Sequence, residues 1–560
     1  MGQEIINLLL PVSRYIYLAI ALFVTLRIIL AMFCKKVTDP VRGYLKNTVT
    51  GKSVSLYDRE LSIGRNKRCD MVLSYPTISR LHAVLVFRNH GFTIFDTYSK
   101  SGVFVNGEKI DRKADLTDGD VLSFGGMEFI LEVQRYKYIK DKSKRPGKPS
   151  YALLLTLLSV FNVVSLILNS FPDGKLNGSV VLSFTAFIII MWLYVTFASL
   201  FLRIRNFEIE ILAFLLASIG MAITGSIYPD AVIKQFASIA IGVVGFCIML
   251  FILRRIKLVK VFRIIGVVGA VGLLGLTLVL ADETNGALNW ITLGGVSLQP
   301  SELVKVIFVF VGACTLEKLQ SMRHLTAYIA FSAACVGELF IMHDFGTALI
   351  FFFTFIVIAF MRSGDVRSIL LICVAAAFGA LLIIVFKPYV ADRFSTFTKA
   401  WECMDEGGFQ QTRVMMYSVS GGLFGLGLGN GMLRYIFASA EDLVFGVVCE
   451  EFGCIMGFLP MVIYCFVAVY AVVNSTKSKS AFYTMSAVAS SGMLLFQAML
   501  SVFGITDLLP LTGVTLPFIS KGGSSVISCF CLYAFIKAAD TRTYANFKPT
   551  KRRQNDENNG

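Results

Sequence analysis

The sequence predicts a polytopic α-helical membrane protein that carries one small, soluble all-β domain. Of its 560 residues, 56% are hydrophobic and only 16% are charged, whereas soluble globular proteins average about 25% charged residues. The apolar residues occur in blocks of about 20, the length of a helix that spans a bilayer. Between residues 52 and 133, the apolar runs instead shorten to four or five residues and alternate with polar ones, which is typical of half-buried strands.

The chain divides into five expected parts. Residues 1–47 form a retained N-terminal membrane anchor, because they show neither the basic segment nor the A-x-A site of a cleaved signal peptide. Residues 48–134 form the β domain, 135–150 a basic linker, 151–540 the membrane domain and 541–560 a basic tail. The twelve spans expected in the membrane domain lie near 151–170, 178–202, 207–227, 231–253, 262–281, 301–317, 325–342, 344–361, 366–387, 443–473, 482–506 and 512–537.

The charge pattern predicts the orientation. The net charge is +15, which in a membrane protein indicates basic cytoplasmic loops rather than nucleic acid binding. Lys and Arg concentrate in alternate loops, such as 254–260 and the tail 548–553, while the loops on the other side carry almost none. We therefore expect a bacterial cytoplasmic membrane protein with the β domain and C-terminus in the cytoplasm and residues 388–442, a loop-like segment, outside. The twelve cysteines show no C-x-x-C pair and are interpreted as small apolar residues.

Charged and irregular segments mark one expected outer cavity. Asp442 follows Glu441 at the start of a long apolar block, and an ionisable group at a membrane boundary usually serves a function. Asp442 is the predicted catalytic base, with Glu441 as the alternative. Glu302 and Lys305 lie three residues apart, on one face of a helix start. An ion pair between them is as consistent with a structural role as with a catalytic one.

Three landmarks in the β region resemble a forkhead-associated (FHA) domain: Gly64-Arg65, Ser79-Arg80-x-His82 and Val105-Asn106-Gly107. The resemblance implies a β sandwich that binds phosphothreonine peptides. It implies that Arg65 and Ser79 contact the phosphate, with Arg80 nearby and His82 as a structural hydrogen-bonding residue; charge-assisted bonds suit a phosphate. Ser101 stands where the family usually has the Asn that holds the peptide backbone. A scaffold domain without phosphate binding is the alternative.

Four ordered motifs in the membrane region, QPSELVK, HDFGTA, EDLVFGVVCEEFG and TGVTLPFISKGGSS, resemble the SEDS family (shape, elongation, division and sporulation), which includes FtsW, RodA and SpoVE. The resemblance covers roughly residues 150–540 and implies the SEDS fold. It also implies a peptidoglycan glycosyltransferase that polymerises lipid II outside the membrane and releases undecaprenyl pyrophosphate. Such enzymes act with a class B penicillin-binding protein that crosslinks the glycan.

The resemblance also implies roles for individual residues. Asp442 would take the proton of the acceptor sugar's 4-hydroxyl. Lys305, paired with Glu302, or Arg393 would stabilise the leaving pyrophosphate, as would a divalent cation, Mg²⁺ or Mn²⁺. The remaining positions that match the family's substrate cavity are Asp344, Gln410, Ser524 and Ser525.

The sequence departs from the family in several places. Ala440-Glu441 replaces the usual His-Thr before the aspartate, and Lys521 replaces the usual Tyr before GGSS. Asn289 precedes Trp290 where the family usually has Arg, and Ser501 stands at an Asn position. Five spans precede the QPSE motif where the family plan has three.

These observations predict a lipid II polymerase of cell division, elongation or sporulation, regulated through phospho-dependent binding by the FHA domain. Its expected partners are lipid II, a class B penicillin-binding protein, a phosphothreonine protein and membrane lipid, with no nucleic acid. One alternative is a lipid II flippase, and the other is a non-enzymatic scaffold that recruits the transpeptidase. An acid at the outer boundary favours the enzyme, because a flippase needs a through-path and no outer base.

Overall fold

The predicted combination of a helical membrane domain and a β sandwich is confirmed by the computed structural model of the chain. The structure describes residues 2–33, 41–133, 149–363, 397–475 and 481–540, together with 370, 373 and 374. Short gaps within these ranges lie at 57–60, 67–68, 89–90, 98, 172–174, 202–203, 205, 254–255, 285–286, 294–295, 317–321 and 406. The predicted linker, the span near 366–387, Arg393 and the basic tail lie largely or wholly outside the described residues.

The β sandwich consists of two sheets. Their strands are β1 (Gly43–Asn47), β2 (Ser53–Leu56), β3 (Leu61–Gly64), β4 (Met71–Val72), β5 (Ala83–Arg88), β6 (Gly91–Asp96), β7 (Val103–Val105), β8 (Glu108–Lys109), β9 (Lys113–Leu116), β10 (Val121–Phe124) and β11 (Met127–Val133). One sheet has the order β2-β1-β11-β10-β7-β8 and the other β4-β3-β5-β6-β9. Alternate residues such as Leu45, Ile63, Leu85, Ile94 and Leu131 face inward and form a common core, as the period of two requires.

The sandwich begins earlier than predicted. Strand β1 (Gly43–Asn47) pairs antiparallel with β11, placing Gly43 opposite Val133 and Asn47 opposite Phe129. Residues 43–47 therefore belong to the sandwich, and its start at residue 48 was placed too late. The short run GYLKN has only one large aliphatic residue, Leu45, so its strand pattern is weak in the sequence.

Fourteen helices of four or more residues are recorded in the described parts of the chain. They are α1 (Gly2–Phe33), α2 (Tyr151–Asn169), α3 (Gly178–Leu200), α4 (Glu208–Ile227), α5 (Val232–Leu253), α6 (Ile256–Leu280), α7 (Pro300–Leu316), α8 (Met322–Ile341), α9 (Phe345–Ser363), α10 (Phe409–Ser420), α11 (Val444–Phe452), α12 (Cys454–Ser475), α13 (Ala481–Ile505) and α14 (Gly523–Ala539). Eight of these described helices contain an apolar stretch long enough to cross a membrane, and α8, α9 and α14 provide shorter ones.

Two predicted spans differ in the structure. The block 443–473 is divided into α11 and α12 at Gly453, which has φ +93° and lies so close to the Leu423 carbonyl that a side chain would clash. The block 512–537 becomes helical only at Gly523, because Pro510, Gly513 and Pro517 interrupt the preceding segment. Such irregular backbone is tolerated at membrane depth where protein surrounds it.

The polar segments between the spans also contain unpredicted structure. Helix α10 and a short 3₁₀ turn, Leu433–Tyr435, form within the segment expected to be loop-like. Between α6 and α7, strands β12 (Asp282–Thr284), β13 (Ala287–Leu293) and β14 (Val296–Leu298) form a small antiparallel sheet. These elements satisfy backbone groups that a true loop would leave to water.

Helix α4 lies in the centre of the helical domain and is buried along almost its entire length, consistent with a helix whose residues after the first turn are apolar on nearly all sides. It is tied to α14 by the buried ion pair of Glu210 and Lys537, whose Oε1 and Nζ atoms lie 3.0 Å apart. Tyr194 donates a further hydrogen bond to Glu210, at 3.1 Å. Helix α14 also packs against α5, α7 and α13.

Helix α1 packs against the helical domain, contacting α2, α4 and α12. The Tyr17 hydroxyl forms a buried 3.0 Å hydrogen bond with Ser165 on α2. Arg14, nearer the start of α1, donates to the Gly425 carbonyl at 3.1 Å. The helix that precedes the β sandwich therefore reaches the glycine-rich segment 421–431 of the helical domain.

Candidate active site

Asp442 lies in a tight turn immediately before α11. Ala438 adopts φ +60°, and its carbonyl accepts hydrogen bonds from the backbone amides of Glu441, Asp442 and Leu443. Burial, together with the negative charges of Glu441 and Asp344, raises the pKa of the Asp442 carboxyl to about 7. A carboxylate with that pKa is suited to accept a proton near neutral pH.

Asp344 lies between α8 and α9, and its charge influences Asp442. Its Oδ1 atom accepts from the Thr347 amide at 3.1 Å and thereby caps α9. Its Oδ2 atom accepts from Gln299 Nε2 at 3.3 Å. Burial raises the pKa of Asp344, partly offset by the hydrogen bonds from Thr347. Two carboxyl groups from distant segments thus share one electrostatic environment.

Glu302 and Lys305 form a buried pair on the first turns of α7, with Oε1 and Nζ 2.8 Å apart. Lys305 also donates to Gln497 of α13 at 3.0 Å, and Ser528 of α14 donates to the second oxygen of Glu302 at 2.9 Å. The pair therefore joins three helices. With only 1% of its side chain exposed, Lys305 forms part of the interior beneath the site.

A hydrogen-bonded network connects this pair to Asp344. Gln497 donates to the Thr515 carbonyl at 2.9 Å, and the Thr515 hydroxyl lies 2.8 Å from that of Ser525. The neighbouring Ser524 accepts from the Gln299 amide at 3.3 Å. Gln299 itself contacts Asp344. The structure thus brings five of the predicted residues together: Glu302, Lys305, Asp344, Ser524 and Ser525.

Gln410 lies on α10, and its exposed amide contacts the Phe437 carbonyl at 3.5 Å. This contact joins α10 to the start of the segment that carries Asp442. Arg393 lies outside the described residues, so its place relative to Asp442 stays a prediction.

The glycine-rich segment 421–431 is packed closely against α11. The amides of Leu426 and Gly427 donate to the carbonyls of Glu450 and Glu451. A Cβ atom on Gly425 would lie 2.2 Å from the Glu451 carbonyl oxygen. The Glu450 carboxylate accepts from the Met432 amide at 2.7 Å. The glycines therefore permit close backbone packing, and Glu450 holds the following turn.

Sequence reasoning missed an ion pair beside Asp442. Lys521 Nζ lies 2.9 Å from Glu441 Oε1, and the Lys521 amide donates to the Ala440 carbonyl at 2.7 Å. Both residues depart from the family motifs, and their opposite charges are the feature of the sequence that could have predicted the ion pair. The Glu441 carboxylate is engaged by this lysine, so Asp442 is the better placed of the two acids to act as a base.

No group of three or more His, Cys, Asp or Glu side chains that could hold a metal ion occurs among the described residues. The charge of Asp344 contributes to the raised pKa of Asp442.

In the β sandwich, the predicted phosphopeptide residues occupy two adjoining loops. The amides of Arg65 and Asn66 donate to the carbonyls of Ser79 and Arg80, and both arginine side chains are exposed. His82 is fully buried, accepting from the Ser79 amide at 3.1 Å and bonding the Gly102 carbonyl at 3.1 Å. The structure therefore gives His82 the predicted role of a structural hydrogen-bonding residue.

Ser101 is turned into the same end of the sandwich. Its hydroxyl donates to the Thr77 carbonyl at 2.9 Å, and the Lys100 amide donates to the Ser79 hydroxyl at 3.0 Å. The segment that departs from the FHA pattern is therefore bonded directly to the loop that carries Ser79.

Comparison with known proteins supports both assignments. The sequence profile of the FtsW/RodA/SpoVE family, described as a cell cycle protein, matches residues 211–545, and the FHA domain profile matches residues 61–125. A probable peptidoglycan glycosyltransferase FtsW from Wigglesworthia glossinidia brevipalpis is 29% identical over 278 residues, which are 47% of this chain and 72% of that protein. Another from Geobacter sp. (strain M18) is 31% identical over 268 residues, covering 46% and 72%.

A solved chain from a peptidoglycan synthase complex has a similar fold. It has a TM-score of 0.52 and 22% identity, and the match covers 60% of this chain and 98% of that chain. The family match begins inside α4. Helices α2 and α3 precede the matched region.

Proposed function

The chain belongs to the FtsW/RodA/SpoVE family, and we propose that it is a peptidoglycan glycosyltransferase with Asp442 as its general base. The observation that carries the proposal is the environment of Asp442: a half-buried carboxyl with a pKa of about 7, adjoining a hydrogen-bonded network from three other segments. Its relatives are named for the same activity.

In this proposal, lipid II binds where Asp442 and Asp344 meet the Ser524–Ser525 turn. The acceptor sugar's 4-hydroxyl gives its proton to Asp442 while its oxygen bonds to the donor's anomeric carbon. The bond between that carbon and the phosphate oxygen breaks, and undecaprenyl pyrophosphate leaves with the electron pair. A bound Mg²⁺ or Mn²⁺ would supply charge stabilisation to this leaving group.

The surrounding residues have supporting roles in the proposal. Glu302 and Lys305 fix α7 relative to α13 and α14, so that Ser524, Ser525 and Asp344 keep their positions. Gln410 and Arg393 complete the cavity from the segment before Asp442. Preorganised polar groups of this kind are the usual means by which an enzyme stabilises developing charge.

The proposed orientation places the Asp442 side outside the cytoplasmic membrane and the β sandwich and C-terminus inside. Its support is the concentration of Lys and Arg in alternate loops. A class B penicillin-binding protein would crosslink the glycan on the outer side. Inside, the FHA domain would bind a phosphothreonine protein through Arg65, Ser79 and Arg80, and couple synthesis to phosphorylation.

The test is polymerisation of labelled lipid II by purified protein, with and without the class B partner. Replacing Asp442 with Asn keeps the shape of the side chain and removes the base, so we expect a loss of about 10²- to 10⁴-fold in rate. Glu441→Gln tests the neighbouring acid as the alternative base and should lose far less activity than Asp442→Asn. Equal rates for wild type and Asp442→Asn would overturn the assignment of the base. Transfer of lipid II across the membrane without glycan synthesis would favour a flippase. Binding of the class B partner without transfer or synthesis would favour a scaffold.

A further inference from the structure

Lys521 and Glu441 are two charged residues at the proposed active site that the mechanism above does not use. Glu441 directly precedes the base, and Lys521 ends the irregular segment before α14. Their side chains are 31% and 42% exposed. They therefore border the open part of the site, in contrast to the buried Lys305, which is enclosed by Glu302 and Gln497.

The position of Lys521 is fixed mainly by backbone contacts. Its amide donates to Ala440, while the hydroxyl of Ser520 donates to the Glu441 carbonyl at 2.6 Å and accepts from the Leu516 amide at 2.8 Å. These bonds join the two segments without the ion pair. Because a partly exposed ion pair contributes little to stability, the Glu441–Lys521 contact is not needed to hold the segments together.

The ammonium group is held but still accessible. Besides its contact with Glu441, it lies 4.5 Å from the centre of the Tyr228 ring, a distance at which a cation is attracted to an aromatic face. An ammonium group has three donors, and nearly a third of the side chain remains exposed. Lys521 can therefore keep its place and still donate to a bound anion.

We propose that Lys521 binds the pyrophosphate of the lipid-linked donor and that Glu441 is a positioning residue that holds the ammonium group ready beside Asp442. This inference rests on the proposed function. Negative charge grows on the pyrophosphate as its bond to the anomeric carbon breaks, and a fixed cation there stabilises that charge. No proton needs to move to Lys521, because the leaving group departs as the anion.

The experiment measures the KM for lipid II, kcat, and inhibition by inorganic pyrophosphate in wild type, Lys521→Met, Lys521→Arg and Glu441→Gln. For Lys521→Met we expect kcat/KM to fall about 10- to 100-fold and pyrophosphate inhibition to weaken similarly, the loss of one charge-assisted hydrogen bond. Lys521→Arg should restore most of both. Thermal unfolding of each variant shows that the protein is folded.

Glu441→Gln separates binding from structure. If Glu441 positions the ammonium group, Glu441→Gln should weaken pyrophosphate inhibition, but less than Lys521→Met does, because the cation itself remains. If the pair only joins the two segments, both variants should lose activity alike, and the proposal is overturned. Unchanged inhibition in Lys521→Met also overturns it. If the wild-type protein makes no glycan, the proposed function is wrong, but the binding site can still be tested. Pyrophosphate should then raise the thermal stability of wild type and not that of Lys521→Met.

Discussion

In the β sandwich, the arginines predicted to bind the ligand are exposed on loops, whereas in the helical domain Glu302 and Lys305 are buried and bonded to neighbouring helices. Arg65 and Arg80 are held by backbone hydrogen bonds between two loops, so their side chains are separate from the folding core. Lys305 contacts Glu302 and Gln497 on two different helices. The comparison predicts that substitution of the sandwich arginines leaves folding intact, whereas substitution of the buried pair in the helical domain destabilises the fold.

The largest effect on stability is expected for a substitution of Lys305 in the helical domain. The change Lys305→Met leaves Glu302 buried without its cation, and breaking a buried pair costs about 3–5 kcal/mol of unfolding free energy. The matched control is Lys46→Met in the sandwich, whose Nζ lies 3.9 Å from Glu132 with both side chains half exposed. That change should cost at most about 1 kcal/mol.

Thermal or denaturant unfolding in detergent measures both effects. The double variant Glu302→Gln/Lys305→Met should recover part of the stability, because it removes the unpaired charge. Equal losses of unfolding free energy in Lys305→Met and Lys46→Met would contradict the proposed difference between the two regions.

A smaller effect, on binding alone, is expected at Arg65. Arg65→Ala should weaken binding of a phosphothreonine peptide by about 10- to 100-fold, the value of a charge-assisted hydrogen bond. The unfolding free energy of the sandwich should stay within about 0.5 kcal/mol. Calorimetric titration with phosphorylated and unphosphorylated peptides makes the measurement.

Arg42→Ala is the control for Arg65. Its guanidinium lies 5.4 Å from the centre of the Phe87 ring, near the end of β5 that is remote from His82. Its removal should leave peptide affinity unchanged. A folded domain in which both variants bind the peptide as wild type does would indicate a scaffold without phosphate recognition.

The smallest effect concerns helix α1, which precedes the sandwich and packs on the membrane core. Tyr17→Phe removes the buried hydrogen bond to Ser165 and should cost about 1 kcal/mol. Tyr15→Phe removes the same hydroxyl from a side chain that is 48% exposed and should cost less. Unfolding of the two variants compares them directly, and a greater cost at Tyr15 would argue against the described packing of α1.

The extent of sequence prediction differs between the two regions for a physical reason. The FHA landmarks fall within one stretch, so local pattern identified the sandwich and the role of His82, although the weak strand β1 was missed. In the helical domain, the motifs identified the residues that meet around Asp344. They did not reveal the break at Gly453, which depends on the close approach of Leu423.

The pairing of Glu441 with Lys521 shows the same limit. The two residues are 80 positions apart in the chain. Considered alone, each is only a departure from its family motif. Only folding brings them within 2.9 Å. The docking of α1 on the glycine-rich segment is likewise a tertiary contact with no local signal.

The most direct test of the central claim is the pH dependence of lipid II polymerisation by wild type and Asp442→Asn. Because burial raises the pKa of Asp442 to about 7, the carboxyl is protonated and inactive as a base below that pH. The wild-type kcat/KM should rise about tenfold per pH unit on the acid side and level off above about 7, while the Asn variant stays low throughout. A wild-type profile that is flat between pH 5 and 8, or an Asn variant that follows it, would contradict the account.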